Sequence, residues 1–182
     1  MEFITEVGKR FLPLINILKF TEPDNMAETL GSLIDKLSIK NLRYWHIDEV
    51  IQAKGASDPQ MEELKAKRDL VDSQRKDLLG EIDAFLEAAL AGEVKIRDEK
   101  VKLYKNLNVA SSDGLNNLGK AVSGLAMSNI KLWHLEDEVR REDLPDSEIV
   151  KTKRTIDTTN QERNNFMDKV DEILESTVKR TN

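Results

Sequence analysis

Two tryptophan–histidine pairs, Trp45-His46 and Trp133-His134, stand 88 residues apart in a chain of 182, and the residues around them repeat at the same interval. Asn41 recurs as Asn129, Lys65 as Lys153, Asp69 as Asp157 and Arg75 as Arg163, together with Leu30-Gly31 as Leu118-Gly119 and Leu37 as Leu125. A duplicated helical pair needs only its apolar pattern to fold. Copied amide, indole, imidazole, carboxylate and guanidinium groups point to a site built twice. Arginine grips phosphate or carboxylate, tryptophan offers a stacking face, and an asparagine with an acid reads the edge of a bound ring.

At roughly 100° per residue, Leu37, Asn41 and Asp48 share one narrow sector, with Trp45 at its edge. Arg68 and Arg75 lie in the apolar stripe of the following helix. The second copy gives Asn129, Trp133 and Glu136 facing Arg163, with Lys153 and Asn160 at the edge. An unpaired buried charge is costly, so Arg75 is expected to meet Asp48, and Arg163 to meet Glu136. Two readings stay open. The pairs could fix register inside a core, or they could line a polar pocket for a small anionic ligand such as a nucleotide.

A second constellation occupies another sector. His46 and Glu49 with Asp69, and His134 and Asp137 with Asp157, could hold a divalent metal or act as acid–base groups. The order His-x-x-acid reverses the Glu-x-x-His of di-iron bundles. A histidine bonded to a neighbouring helix is the competing reading. Ile39, Leu42, Met127 and Ile130 share this sector, so the helices are apolar on two sides. That predicts a central position or cover by another subunit, hence a homo-oligomer.

The composition supplies the frame. It is 39% hydrophobic, 34% charged and 5% aromatic, the profile of a helical protein. A net charge of -6 argues against extended nucleic acid as a partner. No cysteine means no disulfide, thiolate metal site or cysteine nucleophile. No signal-peptide order and no apolar run of about 20 residues are found, so a soluble cytoplasmic protein is expected, with no membrane partner. Phosphate-cradling glycine loops, the dinucleotide fingerprint and His-Glu-x-x-His are absent.

The elements that must position these residues follow from periodicity and turns. Residues 2–19 read as a helix interrupted at Pro13. A long helix runs from Met26 to about Lys54. Asp58 and Pro59 then form an N-cap and first turn, and a second helix runs to about Ala91, with Gly92 as a break and residues 93–106 as a possible continuation. NVASSDG (108–114) is the linker. A third helix opens near Leu115, EDLPDS (142–147) is the next turn, and a last helix ends in a frayed Thr177 to Asn182. The expectation is one all-α domain: a pseudo-two-fold four-helix bundle of two tandem hairpins, plus an N-terminal helix. Repeat 1 spans about 26–107 and repeat 2 about 112–180.

Leu132-Trp133-His134-Leu135-Glu136-Asp137, followed by Lys153-Arg154-x-Ile156-Asp157-x-x-Asn160-Gln161-x-Arg163-Asn164, resembles the leading half of an uncharacterised bacterial helical family of unknown function (DUF4254-like). Gly31 to Ile39, with His46 and Glu49, resembles the trailing half, and Ala91-Gly92 to Tyr104-Lys105 the family's tail. The resemblance implies the family's fold with its halves in permuted order, and a site in the bundle. It carries no activity to transfer.

Three functions are consistent with these residues. The first is a protein that holds a small anionic, nucleotide-like ligand without turning it over. The second is a hydrolase of nucleotides or phosphate esters, with the metal on the histidine–carboxylate sets and with Arg163 and Lys153 on phosphate. The third is a helical assembly protein whose copied polar residues are only structural pairs.

Overall fold

The computed structural model describes residues 28–55, 57–97, 109 and 111–181. The helix expected over 2–19 lies outside them. Four helices account for most of the described chain: α1 (Leu30–Ala53), α2 (Met61–Ala91), α3 (Leu118–Val139) and α4 (Asp146–Thr181).

Capping chemistry sets the ends. Thr29 starts α1, its hydroxyl accepting from the Ser32 N–H, and Asn117 starts α3 by accepting from Lys120 at 3.0 Å. Asp58, expected as the N-cap of α2, does not hold that position, which falls to Gln60. It accepts from the Gln60 N–H at 2.8 Å and pairs with Lys54 at 2.8 Å, tightening the turn so that the helix begins at Met61. Gly92 ends α2 in the left-handed region, φ 73°. Residues 93–97 are therefore not a continuation of the helix. At the other end α4 stays helical through Thr181 rather than fraying from Thr177, because Val178 is buried in the core.

The helices pack as two antiparallel hairpins, α1 on α2 and α3 on α4, and α1 also lies against both α3 and α4. Gly31 sits beside Asp171 and Asp35 beside Arg163, so α1 runs antiparallel to α4 and parallel to α3. The main core gathers where α1 and α3 begin and α2 and α4 end. Leu30 and Leu33 meet Phe85, Ala89, Ala121, Val170 and Leu174 there. Burying such side chains contributes about 1.5–3 kcal/mol each. Gly124 lets the Phe166 ring close on α3, and Gly31 lets α1 reach the backbone of α4 at Met167.

Equivalent residues of the two repeats do not share surroundings. Asn129 is buried and Asn41 exposed; Asp171 is buried and Asp83 exposed; Trp133 is half-buried, whereas Trp45 is 62% exposed. No helix among the described residues is long and apolar enough to cross a membrane.

Candidate ligand-binding site

α1, α3 and α4 meet around a polar island. Asn129 donates through Nδ2 to Asp35 Oδ1 at 2.8 Å, and both residues are buried. Arg163 Nε lies 3.8 Å from the same carboxylate oxygen, beyond hydrogen-bond reach. One turn earlier on α4, Thr159 is wholly buried. Arg163 Nε and Thr159 Oγ1 are both shut off from solvent and have no hydrogen-bond partner among the described residues. A buried polar atom left unmet costs about 1–3 kcal/mol. Asn160 is half-buried next to Thr159.

One turn beyond Asn129, Trp133 stacks on His46 with ring centroids 4.5 Å apart and planes 5° from parallel. This pairs the indole of the second repeat with the imidazole of the first. His46 Nδ1 also bonds Glu49 Oε2 at 2.9 Å, which orients the ring.

The expected arginine pairs are different. Arg75 donates from Nε to Asn41 Oδ1 at 2.7 Å and from Nη1 to Asp72 at 2.8 Å, and its guanidinium lies over the Tyr44 ring. It does not meet Asp48. The antiparallel register that sets Asn41 opposite Arg75 sets Asp48 opposite Arg68, 3.8 Å away. Arg68 in turn bonds its neighbour Asp69 at 2.9 Å, and that bond raises its pKa. Asp72 is held below the ordinary carboxylate range, first by a hydrogen bond from Lys76. Arg163 does not meet Glu136, which lies 3.9 Å from Arg140 on its own helix. Lys153 is exposed and, ten residues from Arg163, about 15 Å along α4.

The second constellation stays dispersed. His46 has Glu49, Asp69 has Arg68, and Asp137 pairs with Arg140 at 3.2 Å. His134 and Asp157 are exposed. Among the described residues, no three histidine or carboxylate side chains come close enough to hold a metal ion.

The structure thus joins Asn129 and Arg163 through Asp35, with Trp133 one turn on along α3 and Asn160 one turn back along α4, and it places Asn41, Asp48, Arg68 and Arg75 along the first hairpin. Sequence reasoning missed Asp35 and Thr159. Asp35 falls, with Glu49, on the face of α1 that also carries Gly31, Leu42 and His46, so it was legible as an acid of the histidine sector. It also marks a place where the repeats differ, since its counterpart is Ser123.

The chain matches the model of a family described as a protein of unknown function, DUF4254, over residues 2–97 and 120–182, and it belongs to that family. The match divides between the two repeats. No curated protein and no solved structure matches it.

Proposed function

We propose that this member of the DUF4254 family binds a small anionic, nucleotide-like ligand at the island formed by Asp35, Asn129, Thr159 and Arg163. One observation carries the reading: two neighbouring donors on α4, Arg163 Nε and Thr159 Oγ1, are closed to water and unmet among the described residues. An anionic oxygen would accept from both. Charge-assisted bonds of this kind are about twice as strong as neutral ones. Asp35 and Asn129 would fix the guanidinium and offer edge hydrogen bonds. The Trp133–His46 stack, one turn away, supplies a flat surface for a base.

The role is holding rather than turnover. The gathered groups are donors, an amide and stacked rings, whereas the carboxylates that a phosphate-ester hydrolase would gather on a cation are taken singly by Arg68, Arg140 and His46.

Thermal unfolding in the presence of nucleoside mono-, di- and triphosphates and of inorganic phosphate tests this. A ligand at 100 times its Kd stabilises by about 2.7 kcal/mol. The native chain is expected to gain in Tm with at least one phosphate-bearing compound. Arg163→Met is expected to fold and to lose that gain. A native chain indifferent to every anion, or an Arg163→Met variant that responds as the native chain does, would defeat the reading.

A further inference from the structure

Three contacts that α1 makes with the second hairpin have duplicates that are not made among the described residues. Gly31, Asp35, Leu42 and His46 fall within about 60° of one another on α1. From that face the Gly31 N–H donates to Asp171 at 2.7 Å, Asp35 accepts from Asn129 at 2.8 Å, and His46 lies on Trp133 at 4.5 Å. Moved on by 88 residues, the same face of α3 carries Gly119, Ser123, Ile130 and His134, all exposed. The receiving groups become Asp83, Asn41 and Trp45 on α1 and α2, and these too are exposed. A dyad between the hairpins would make both contacts at once. Among the described residues only one is made, so the contact is heterologous and leaves one open face on each hairpin.

We infer that these faces take a second copy of this chain. α3 of one protomer seats on the α1–α2 hairpin of its partner, through the contact that α1 makes within each protomer. Two copies then satisfy each other and close a ring of four hairpins.

Three observations commit the faces to that occupant. The first is a glycine. Gly31 is required because a Cβ there would collide with the Met167 carbonyl on α4. Gly119 repeats it, yet a Cβ at Gly119 would meet only its own cap, Asn117. Nothing among the described residues uses the space this copied glycine leaves, whereas a partner's Leu79 backbone, the counterpart of Met167, would.

The second is charge. Inside the chain Arg163 draws its acid from Asp35 across the contact, and its own helix carries Asn160. In the duplicate the acid has changed sides. Ser123 replaces Asp35, while Asp72, the counterpart of Asn160, bonds Arg75 from its own helix at 2.8 Å. Asn129 and Asn41 thus each keep one arginine and one acid beside them, Arg163 with Asp35 and Arg75 with Asp72. Asp83 would meet the positive N-terminal end of α3, as Asp171 meets that of α1. The third is apolar surface. Met127 is 59% exposed and Leu79 50%, and they stand on the two faces to be joined.

The inference does not depend on the ligand reading. Native mass spectrometry and light scattering on the full chain test it, with an expected mass of twice 20.8 kDa. Gly119→Ala with Met127→Asp disables the α3 face. Trp45→Ala with Asp83→Lys disables the α1–α2 face. Each double variant alone is expected to be a monomer with unchanged helical circular dichroism. Mixed in equal amounts they are expected to form a heterodimer, because each retains the face that the other lacks; a two-fold isologous patch would give no such rescue. Should a variant misfold, the native chain still decides by mass, and by hydrogen exchange in the first turn of α3, which is expected to slow as protein concentration rises. A native monomer, including one in which residues 1–27 cover these faces, overturns the inference. So does an assembly that neither variant splits.

Discussion

Gly31 and Gly80 are both glycines inside helices, and the same substitution is expected to act on them with opposite sign. At Gly31 a Cβ would run into the Met167 carbonyl and come within 3.1 Å of the Asp171 carboxylate, so α1 would have to lift away from α4. Overpacking of this kind costs about 1–3 kcal/mol and outweighs the roughly 1 kcal/mol that alanine contributes in a helix. At Gly80 nothing lies within 4 Å, and alanine has only its helix propensity to express. Gly31→Ala should therefore lower the urea midpoint and Gly80→Ala raise it, with the slope of the transition unchanged. Equal midpoints for the native chain and Gly31→Ala would mean that α1 is not held against α4 as described. At the same scale, the copied residues owe their different roles to neighbours rather than to type: Asn129 is buried against Asp35, while Asn41 faces solvent and is held by Arg75.

At the scale of elements, periodicity and turn residues were enough to place two hairpins, because an amphipathic helix must bury its stripe and a short turn forces antiparallel neighbours. The arginine partners were not legible. Periodicity fixes which face Arg75 and Arg163 occupy, but their partners depend on the antiparallel register and on which third helix arrives, and Asp35 comes from the other hairpin. Trp133 finding His46 instead of a ligand-lined seam has the same cause. The end of α2 was legible, and its chemistry gives a prediction. Gly92 holds φ 73° while its N–H and that of Glu93 bond the last carbonyls, Ala89 at 3.3 Å and Ala88 at 2.9 Å. A side chain in that left-handed region costs about 1–2 kcal/mol. Gly92→Ala is expected to lower Tm by about 2–4 °C per kcal/mol lost, and Gly92→Asn, which tolerates the conformation better, by less. Alanine and asparagine variants melting together at the native temperature would show that the cap is not held.

The molecule as a whole is acidic, net -6, with 28 Lys and Arg balanced against 34 Asp and Glu. Several of those carboxylates are held below their ordinary range by cations at the joints of the fold. Glu28, ahead of α1, is lowered by the hydrogen bond from Lys36, then by that from Ser32. Asp58, before α2, is lowered by Lys54, and Asp143, before α4, by Arg141. A carboxyl whose folded pKa lies below its unfolded value stabilises the fold fully above the unfolded value, and that contribution is lost as pH falls through the folded one. The window therefore opens below about 4.5, the ordinary value for Glu28, and below 3.8 for the aspartates. Protonation there also leaves the 28 Lys and Arg and the 2 His unopposed, so self-repulsion adds to the lost pairs. Tm is expected to fall steeply below about pH 4.5. Glu28→Gln should be slightly less stable at neutral pH yet show a shallower acid limb, because glutamine has no proton to gain. Salt should narrow the difference, since the Glu28–Lys36 pair is well exposed and screened. Parallel acid limbs for the native chain and Glu28→Gln would place the acid sensitivity elsewhere than at the start of α1.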